Sequence, residues 1–364
     1  MQLPASQSEG IDMLFLSGGG SFGAYGAGVL YGWSAAAGDH VRNPFHVVTG
    51  ISTGSLQATH AFLGSAYDNY LYDNYTNPGT ELMPRRPWWQ IPFASSVNET
   101  TGLVQVLKDT VPDSMIDDVG LQQGQRLLCV GTTNLDNGDF VTWDLTRIAS
   151  EGKYDLYRSL LLASASVPAA SPPVKIGGAL YGDGGVRNQI FATPLVEQLR
   201  QGREAAEDRG YFLVNDQLSI QAQCTQPRII PLAEQTIRIL LTGGLNSALY
   251  EAEMELTRCS DPGDALGIYF LYIPDNFAMG FDNANFDKDQ MCRLFCRGLS
   301  DGRQANWSDC RPTGMQSRSC ATPIYPPGDT LSDSTCPVGG PPSCPADSVY
   351  APFPSSCSAD PCAP

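Results

Sequence analysis

The run Met13-Leu14-Phe15-Leu16-Ser17-Gly18-Gly19-Gly20-Ser21-Phe22-Gly23 decides the fold. Its apolar part, Met13–Ser17, stops at three consecutive glycines, as a buried strand does on entering a turn. From Gly23 to about Ala36 the spacing becomes helical, with Val29, Leu30 and Trp33 on one side. The pattern then repeats: Phe45–Thr49 reads as a second buried strand and Thr53–Leu63 as a second helix. Strand, helix, strand, helix with short joints predicts a parallel α/β sheet.

Further along, Leu127–Asn134 and Phe140–Leu145 read as strands, and Leu156–Ala165 as a helix that stops before Pro168. Ala179–Tyr181 leads into Gly182-Asp183-Gly184-Gly185. Leu232–Arg258 is a long helix candidate interrupted at Gly243-Gly244, Gly267–Ile273 a strand and Phe286–Arg303 a last helix. Residues 64–125 are less regular, with Tyr67, Tyr70, Tyr72 and Tyr75 close together ahead of Arg85-Arg86-Pro87-Trp88-Trp89. Composition shifts near Pro312: residues 313–364 hold eleven Pro and five Cys and few large apolar side chains. Such a segment builds no core by itself. The expected organisation is a polar lead-in over 1–11, one α/β domain over 12–312, and an irregular or disulfide-stapled tail over 313–364.

Charge and cysteine usage narrow the function. With 22 Lys plus Arg against 38 Asp plus Glu, the formal net charge of -16 argues against nucleic acid and against electrostatic docking on anionic lipid. Apolar contact with a bilayer is not excluded by it. No apolar stretch reaches the roughly 20 residues that a spanning helix needs. The first positive side chain is Arg42, so no export signal is visible. Cys129 stands alone in the first 223 residues; the other ten cysteines fall in the last 141. No Cys-x-x-Cys occurs and the three His lie before residue 61, so no metal site is expected. Disulfides in an oxidising, extracytoplasmic compartment are the expectation, with an odd thiol left over.

Three glycine motifs carry the chemistry. Gly18-Gly19-Gly20-Ser21-Phe22-Gly23 lies between a strand and a helix, where glycines let backbone N–H groups approach an anion. A dinucleotide pyrophosphate or the oxyanion of an acyl-transfer intermediate would fit. No Gly-Lys-Ser/Thr follows, so this is not a P-loop. Gly50-Ile51-Ser52-Thr53-Gly54 has the nucleophile-elbow pattern, with the Thr53 N–H placed to help hold an oxyanion. Asp183-Gly184-Gly185 lets an aspartate carboxylate sit close to another backbone element. Glycine is about a tenth of the chain, so each motif alone is a weak signal, Ser52 reading equally as a capping serine and Asp183 more readily as a turn residue. All three in order, each in its expected context, do not.

Histidine placement then limits the mechanism. His60 lies eight residues past Ser52 on the same helix, about 12 Å away at 1.5 Å per residue. His46 sits six residues back along a strand, roughly 20 Å off. Neither reaches Ser52, and His40, His46 and His60 read as structural or surface residues. A nucleophilic Ser52 therefore needs another base, and Asp183 is the carboxylate that a flanking motif presents.

Gly-Gly-Gly-x-x-Gly, Gly-x-Ser-x-Gly and Asp-Gly-Gly in this order resemble the patatin-like phospholipase family. Ala24-Tyr25, Ala27-Gly28-Val29-Leu30, the Ala/Ser-rich run ending at Pro168 and Pro172-Pro173-Val174 add to the match, which covers about residues 12–310. The resemblance implies a patatin-type three-layer α/β sandwich with a mainly parallel central sheet flanked by helices, and lipid acyl-ester hydrolysis by a Ser–Asp dyad without a cofactor. On it, Ser52 matches the nucleophile, Asp183 the general base, and Gly18, Gly19 and Gly20 the oxyanion loop; Gly23, Gly50, Gly54, Gly184 and Gly185 complete the motifs. Many members carry Arg or Lys where this chain has Phe22, which bears on the preference between phospholipid and neutral ester.

The implied partner is a lipid or acyl-ester substrate. Trp88, Trp89 and Phe93 with the paired arginines suit peripheral contact at a lipid–water boundary; a lid or loop packing its own aromatics is the simpler reading. Competing readings are an esterase or thioesterase on soluble acyl substrates, a dinucleotide enzyme whose ribose-binding acid would have to be Asp39, and a non-catalytic lipid-binding surface protein.

Overall fold

The computed structural model describes residues 10–36, 42–78, 96, 99–168, 170–192, 208–219, 229–258, 266–277, 286–305 and 307–308. The tail over 313–364, Trp88, Trp89, Phe93, His40, Asp39 and nearly all of the lead-in lie outside them. In chain order the elements are β1 (Asp12–Leu16), α1 (Gly23–Ser34), β2 (Val47–Gly50), α2 (Thr53–Leu63), α3 (Asp68–Thr76), α4 (Thr101–Thr110), α5 (Asp113–Gly120), β3 (Leu127–Asn134) and β4 (Phe140–Asp144). Then follow α6 (Leu145–Ser150), α7 (Tyr154–Ser164), β5 (Val174–Ile176), β6 (Ala179–Asp183), β7 (Asp208–Val214), α8 (Ile229–Arg258), β8 (Leu266–Tyr272) and α9 (Lys288–Arg303).

The strands form one sheet in the order β5-β6-β3-β2-β1-β7-β8, with β4 also on β3. Neighbours from β3 to β8 are parallel; β4 and β6 run antiparallel to β3, and β5 to β6. A parallel sheet is covered on both faces, which is why β1 is apolar at successive positions. Leu14 and Leu16 pack into one core with α1, α2 and α9. Met13 and Phe15 point the other way, into a second core with Leu245, Ala248 and Leu249 of α8. On that second face Phe15, Phe212 and Phe270 pair in register across β1, β7 and β8, with centroids 4.7 and 5.2 Å apart. The chain is thus a mixed α/β protein with a central sheet between helical layers. Among the described residues no helix is long and apolar enough to cross a membrane.

Several sequence expectations are corrected. The irregular stretch 64–125 contains α3, α4 and α5. Its Asp/Asn/Tyr-rich first part has poor intrinsic helix propensity, and tertiary packing carries it: Tyr72 meets Phe295 of α9 at 5.5 Å and Tyr31 of α1 at 5.9 Å. Strand β7 has no clean alternation in sequence; its place beside β1 is fixed by pairing and by the Arg209–Asp12 ion pair at 2.7 Å. Gly243-Gly244 does not interrupt α8, which runs unbroken through both. Two glycines cost a helix about 2 kcal/mol together, less than its buried face against the sheet returns.

Helices α1 and α9 meet at backbone distance. A Cβ at Gly28 would lie 2.1 Å from the Phe295 carbonyl oxygen, and one at Gly298 2.0 Å from that of Tyr25. Gly32 and Gly302 repeat the contact one turn on. The Tyr25 hydroxyl donates to Asp301 Oδ2 at 3.0 Å, and Arg297 Nε donates to the same oxygen at 2.8 Å.

Opposite signs are therefore expected for two glycine substitutions. Gly298→Val has no space and should cost at least about 2 kcal/mol. Gly243→Ala, where an added Cβ meets nothing within 4 Å, should gain roughly 0.5–1 kcal/mol. Urea unfolding of both variants checks the pair; a stable Gly298→Val protein would contradict the close-packed interface.

Candidate active site

Because β1 and β2 are adjacent and parallel, the turns that follow them emerge side by side at one end of the sheet. The turn after β2 carries Ser52 at φ 53° and ψ -126°. That conformation is costly for a residue with a Cβ, on the order of 1–3 kcal/mol, and persists only where the surroundings impose it. Here they do. The Ser52 N–H donates to Ser164 Oγ at 3.1 Å, whose own hydroxyl donates to the Gly131 carbonyl at 2.7 Å. Ser55 Oγ donates to the Ser52 carbonyl at 2.6 Å, and the Gly54 N–H to the Ile51 carbonyl at 2.7 Å. Gly54 rests against β1, where a Cβ would lie 2.6 Å from the carbonyl oxygens of both Leu16 and Ser17.

Asp183 ends β6, where it pairs with Thr132 of β3. Its N–H donates to the Ser166 carbonyl at 2.7 Å and its carbonyl accepts from Thr133 Oγ1 at 2.9 Å, so the backbone is held on both sides. Oδ1 accepts the Gly185 N–H at 2.7 Å. The structure brings Ser52 and Asp183 together: the serine hydroxyl lies near enough to the carboxyl to favour its ionised form. Both residues are buried, at 7% and 4% exposure. Burial pushes the Asp183 carboxyl up to about 6, against the Ser52 hydroxyl and the Gly185 N–H, which pull it down.

The glycine loop lies beside Ser52; a Cβ on Gly18 would be 3.3 Å from that of Ser52. Its three amides are not equivalent. The Gly18 N–H donates to the Gln189 carbonyl at 3.0 Å, so it is spent on structure rather than free to receive an oxyanion. Gly19 and Gly20 have φ of 158° and 57°. Among the described residues no acceptor faces the N–H of Gly19, Gly20 or Thr53. Thr53 is itself anchored, its Oγ1 sharing a 2.7 Å hydrogen bond with the Tyr75 hydroxyl.

The remaining residues singled out from sequence lie elsewhere. Phe22 is packed into the α1 core at 2% exposure, so its side chain is turned away from the loop's polar face. His60 is buried with its ring nitrogens near the carbonyls of Leu56 and Thr110, and burial lowers its pKa. His46 Nδ1 accepts the Asp12 N–H at 3.1 Å. Among the described residues no cluster of His, Cys, Asp or Glu could hold a metal.

Residues that sequence reasoning missed shape the site from beneath. Gln189 spans two of its loops: Nε2 donates to the Gly185 carbonyl at 3.1 Å, and Oε1 lies 2.5 Å from where a Gly18 Cβ would stand. Asn215, Gln57 and Ser164 are fully buried polar residues around the same turns. Gln189, Asn215 and Gln57 belong to no motif, whereas Ser164 lies in the Ala/Ser-rich run ending at Pro168; the one available signal for the others was a polar side chain set among apolar or small neighbours.

A family model described as Patatin-like phospholipase matches residues 14–196, a span that includes both Ser52 and Asp183. Among solved structures, VipD from Legionella pneumophila is similar at 12% identity and a TM-score of 0.34, over 79% of this chain and 67% of that one. No curated protein matches.

A raised carboxyl pKa has a consequence for stability. Asp183 titrates near 6 in the folded chain against 3.8 in its ordinary state, so folding favours its protonated form. The stabilisation is complete below pH 4 and is lost as pH rises through 6. At about 1.4 kcal/mol per unit, ionised Asp183 destabilises the fold by up to about 3 kcal/mol. Asp183→Asn should therefore be more stable than wild type at pH 8, with the gap closing toward pH 4. Urea titrations at the two pH values test this; a gap independent of pH would contradict it.

Proposed function

The chain belongs to the patatin-like phospholipase family, and on that premise we propose that it is a lipid acyl hydrolase with Ser52 as nucleophile and Asp183 as general base. The observation that carries the reading is the placement of the buried Ser52 side chain beside the buried Asp183 carboxyl, whose ionised form it favours. Ser52 Oγ attacks the ester carbonyl while its proton passes to Asp183. The negative charge that develops on the carbonyl oxygen is received by the N–H groups of Gly19, Gly20 and Thr53. The C–O bond to the alcohol then breaks, Asp183 returns the proton to the leaving oxygen, and an acyl ester remains on Ser52. Water, deprotonated by Asp183, releases the fatty acid and restores the serine.

An aspartate at its ordinary pKa is a weak base for a hydroxyl. Burial to about 6 narrows that gap, and the proton need move only as the Oγ–carbon bond forms. A second reading, hydrolysis of neutral or soluble acyl esters, is favoured by one observation: Phe22 stands where a cation often does and is turned into the core. Peripheral membrane contact through Trp88 and Trp89, and an extracytoplasmic setting for the cysteine-rich C-terminal part, accompany the proposal as expectations.

Ser52→Ala and Asp183→Asn should each lower ester hydrolysis by on the order of 10³ or more. A fluorophosphonate should label wild type at Ser52 alone. Substantial turnover by Ser52→Ala would remove the nucleophile assignment. Asp183 must be ionised to accept a proton, so kcat/KM should fall as pH drops through about 6. Asp216 also lies near 6, and Asp216→Asn should leave that midpoint in place. Phosphatidylcholine vesicles compared with a short nitrophenyl ester separate the two substrate readings.

A further inference from the structure

Two buried residues bracket the glycine loop without belonging to it. Strand β7 pairs with β1 through Leu213 and Leu16, so the residue just past β7 emerges beside the start of the loop. That residue is Asn215, with no solvent exposure. Its N–H donates to Ser17 Oγ at 2.8 Å and its Nδ2 to the Ser17 carbonyl at 3.0 Å. Its Oδ1 accepts the N–H of Gly26, in the first turn of α1, at 3.0 Å. One side chain thereby ties the residue before Gly18 to the helix that follows Gly23. Gly19 lies directly on the Asn215 backbone: an added Cβ would stand 2.1 Å from its carbonyl oxygen.

Gln57 closes the circuit to the nucleophile. It lies five residues past Ser52 on α2 and is also fully buried. Its Nε2 donates to the Gly23 carbonyl at 2.6 Å, and its Oε1 accepts from Asn215 Nδ2 at 3.5 Å. The loop is thus fastened to β1 and α1 by Asn215, and to the serine's own helix by Gln57. A fully buried carboxamide with no acceptor to spare costs stability if any partner is lost. Two of them converging on one loop fix that loop's height relative to Ser52.

We infer that Asn215 and Gln57 are positioning residues that hold the Gly19 and Gly20 amides at the distance from Ser52 where an oxyanion forms, themselves touching no substrate. The inference rests on the Ser52–Asp183 reading above. It gives the pair a kinetic signature that a general structural role lacks. Both amides would stay present but misplaced, so binding of the ground-state ester would hardly change while the tetrahedral species lost its donors. An error of about 1 Å in such geometry is worth on the order of a hundredfold in rate.

The test compares wild type, Asn215→Ser, Gln57→Leu and Ser52→Ala on a short nitrophenyl ester, with thermal unfolding to confirm each fold. In the folded Asn215 and Gln57 variants kcat should fall about ten- to a hundredfold, with KM within about twofold. Fluorophosphonate labelling of Ser52 should slow by the same factor, because its phosphoryl oxygen must enter the same donors. The pH midpoint near 6 should not move, since Asp183 is untouched. The double variant should lose less than the product of the single losses, as expected of two residues serving one loop. Wild-type kcat in a folded variant, a rise in KM alone, or a rate loss recovered at higher pH would overturn the assignment. Should Asn215→Ser fail to fold, Gln57→Leu decides alone, having a single hydrogen bond to the loop. Activity persisting in Ser52→Ala would take down the dyad and this inference together; loss there with full activity in Asn215→Ser and Gln57→Leu would remove the inference only.

Discussion

Backbone proximity between β1 and α2 is the constraint on which the rest of the site depends. The elbow can turn only if Gly54 lies against the last carbonyls of β1, at a separation that leaves no room for a Cβ. Gly50 meets the same requirement from the other side, since a Cβ there would stand 2.5 Å from the Gly54 carbonyl oxygen. Once the turn is that tight, Ser52 is forced into its left-handed conformation and its side chain leaves the sheet. The closeness of β1 also brings Gly18 alongside Ser52, so the proposed nucleophile and the glycine loop are placed by one contact rather than two.

Electrostatics follow from this packing. On the proposed mechanism, with no histidine in reach of Ser52 among the described residues, the proton acceptor is a group whose ordinary pKa is far too low for the task. Removing Asp183 from water corrects this partly, because desolvation penalises the ionised form. Complete isolation would leave the carboxyl protonated at neutral pH and useless as a base. The Gly185 N–H and the Ser52 hydroxyl prevent that by stabilising the anion, which leaves the group near 6. The destabilisation this imposes on the fold above that pH has the same origin as the basicity proposed for Asp183, so on that proposal function and local instability share one cause.

Sequence patterning exposed the parts whose chemistry is local. The β1–α1 and β2–α2 units, the elbow and the Asp-Gly-Gly turn are each specified within ten residues, by an apolar run meeting glycine. Helix α3 was hidden because its Asn, Asp and Tyr residues carry no helical preference; its partners Tyr31 and Phe295 lie about 40 and 220 positions away in the chain. Gly243-Gly244 misled in the other direction, since a local penalty was read without the burial that outweighs it. At the site the same division holds. Ser52 and Asp183 sit in recognisable turns, whereas Asn215 acts across 198 positions on Ser17 and Gln57 across 34 on Gly23. The unequal use of the three loop amides was equally invisible, because it depends on where the Gln189 carbonyl falls.

The long-range contacts give the distant α1–α9 interface a part in fixing the glycine loop. The glycine loop is a bridge between β1 and α1, so its shape is defined only as well as α1 is fixed. Ser17 is anchored by the sheet, with its N–H donating to the Leu213 carbonyl at 3.1 Å. The far abutment is α1, and α1 is held against α9 at backbone distance through Gly28, Gly32, Gly298 and Gly302. Side chains between those helices would allow them to slide by rotamer changes; backbone against backbone does not. The Tyr25–Asp301 hydrogen bond, one residue before Gly26, adds a polar latch on the same turn that Asn215 grips. On the proposed mechanism, a helix pair with no catalytic group of its own thereby sets how rigidly the Gly19 and Gly20 amides are presented to Ser52.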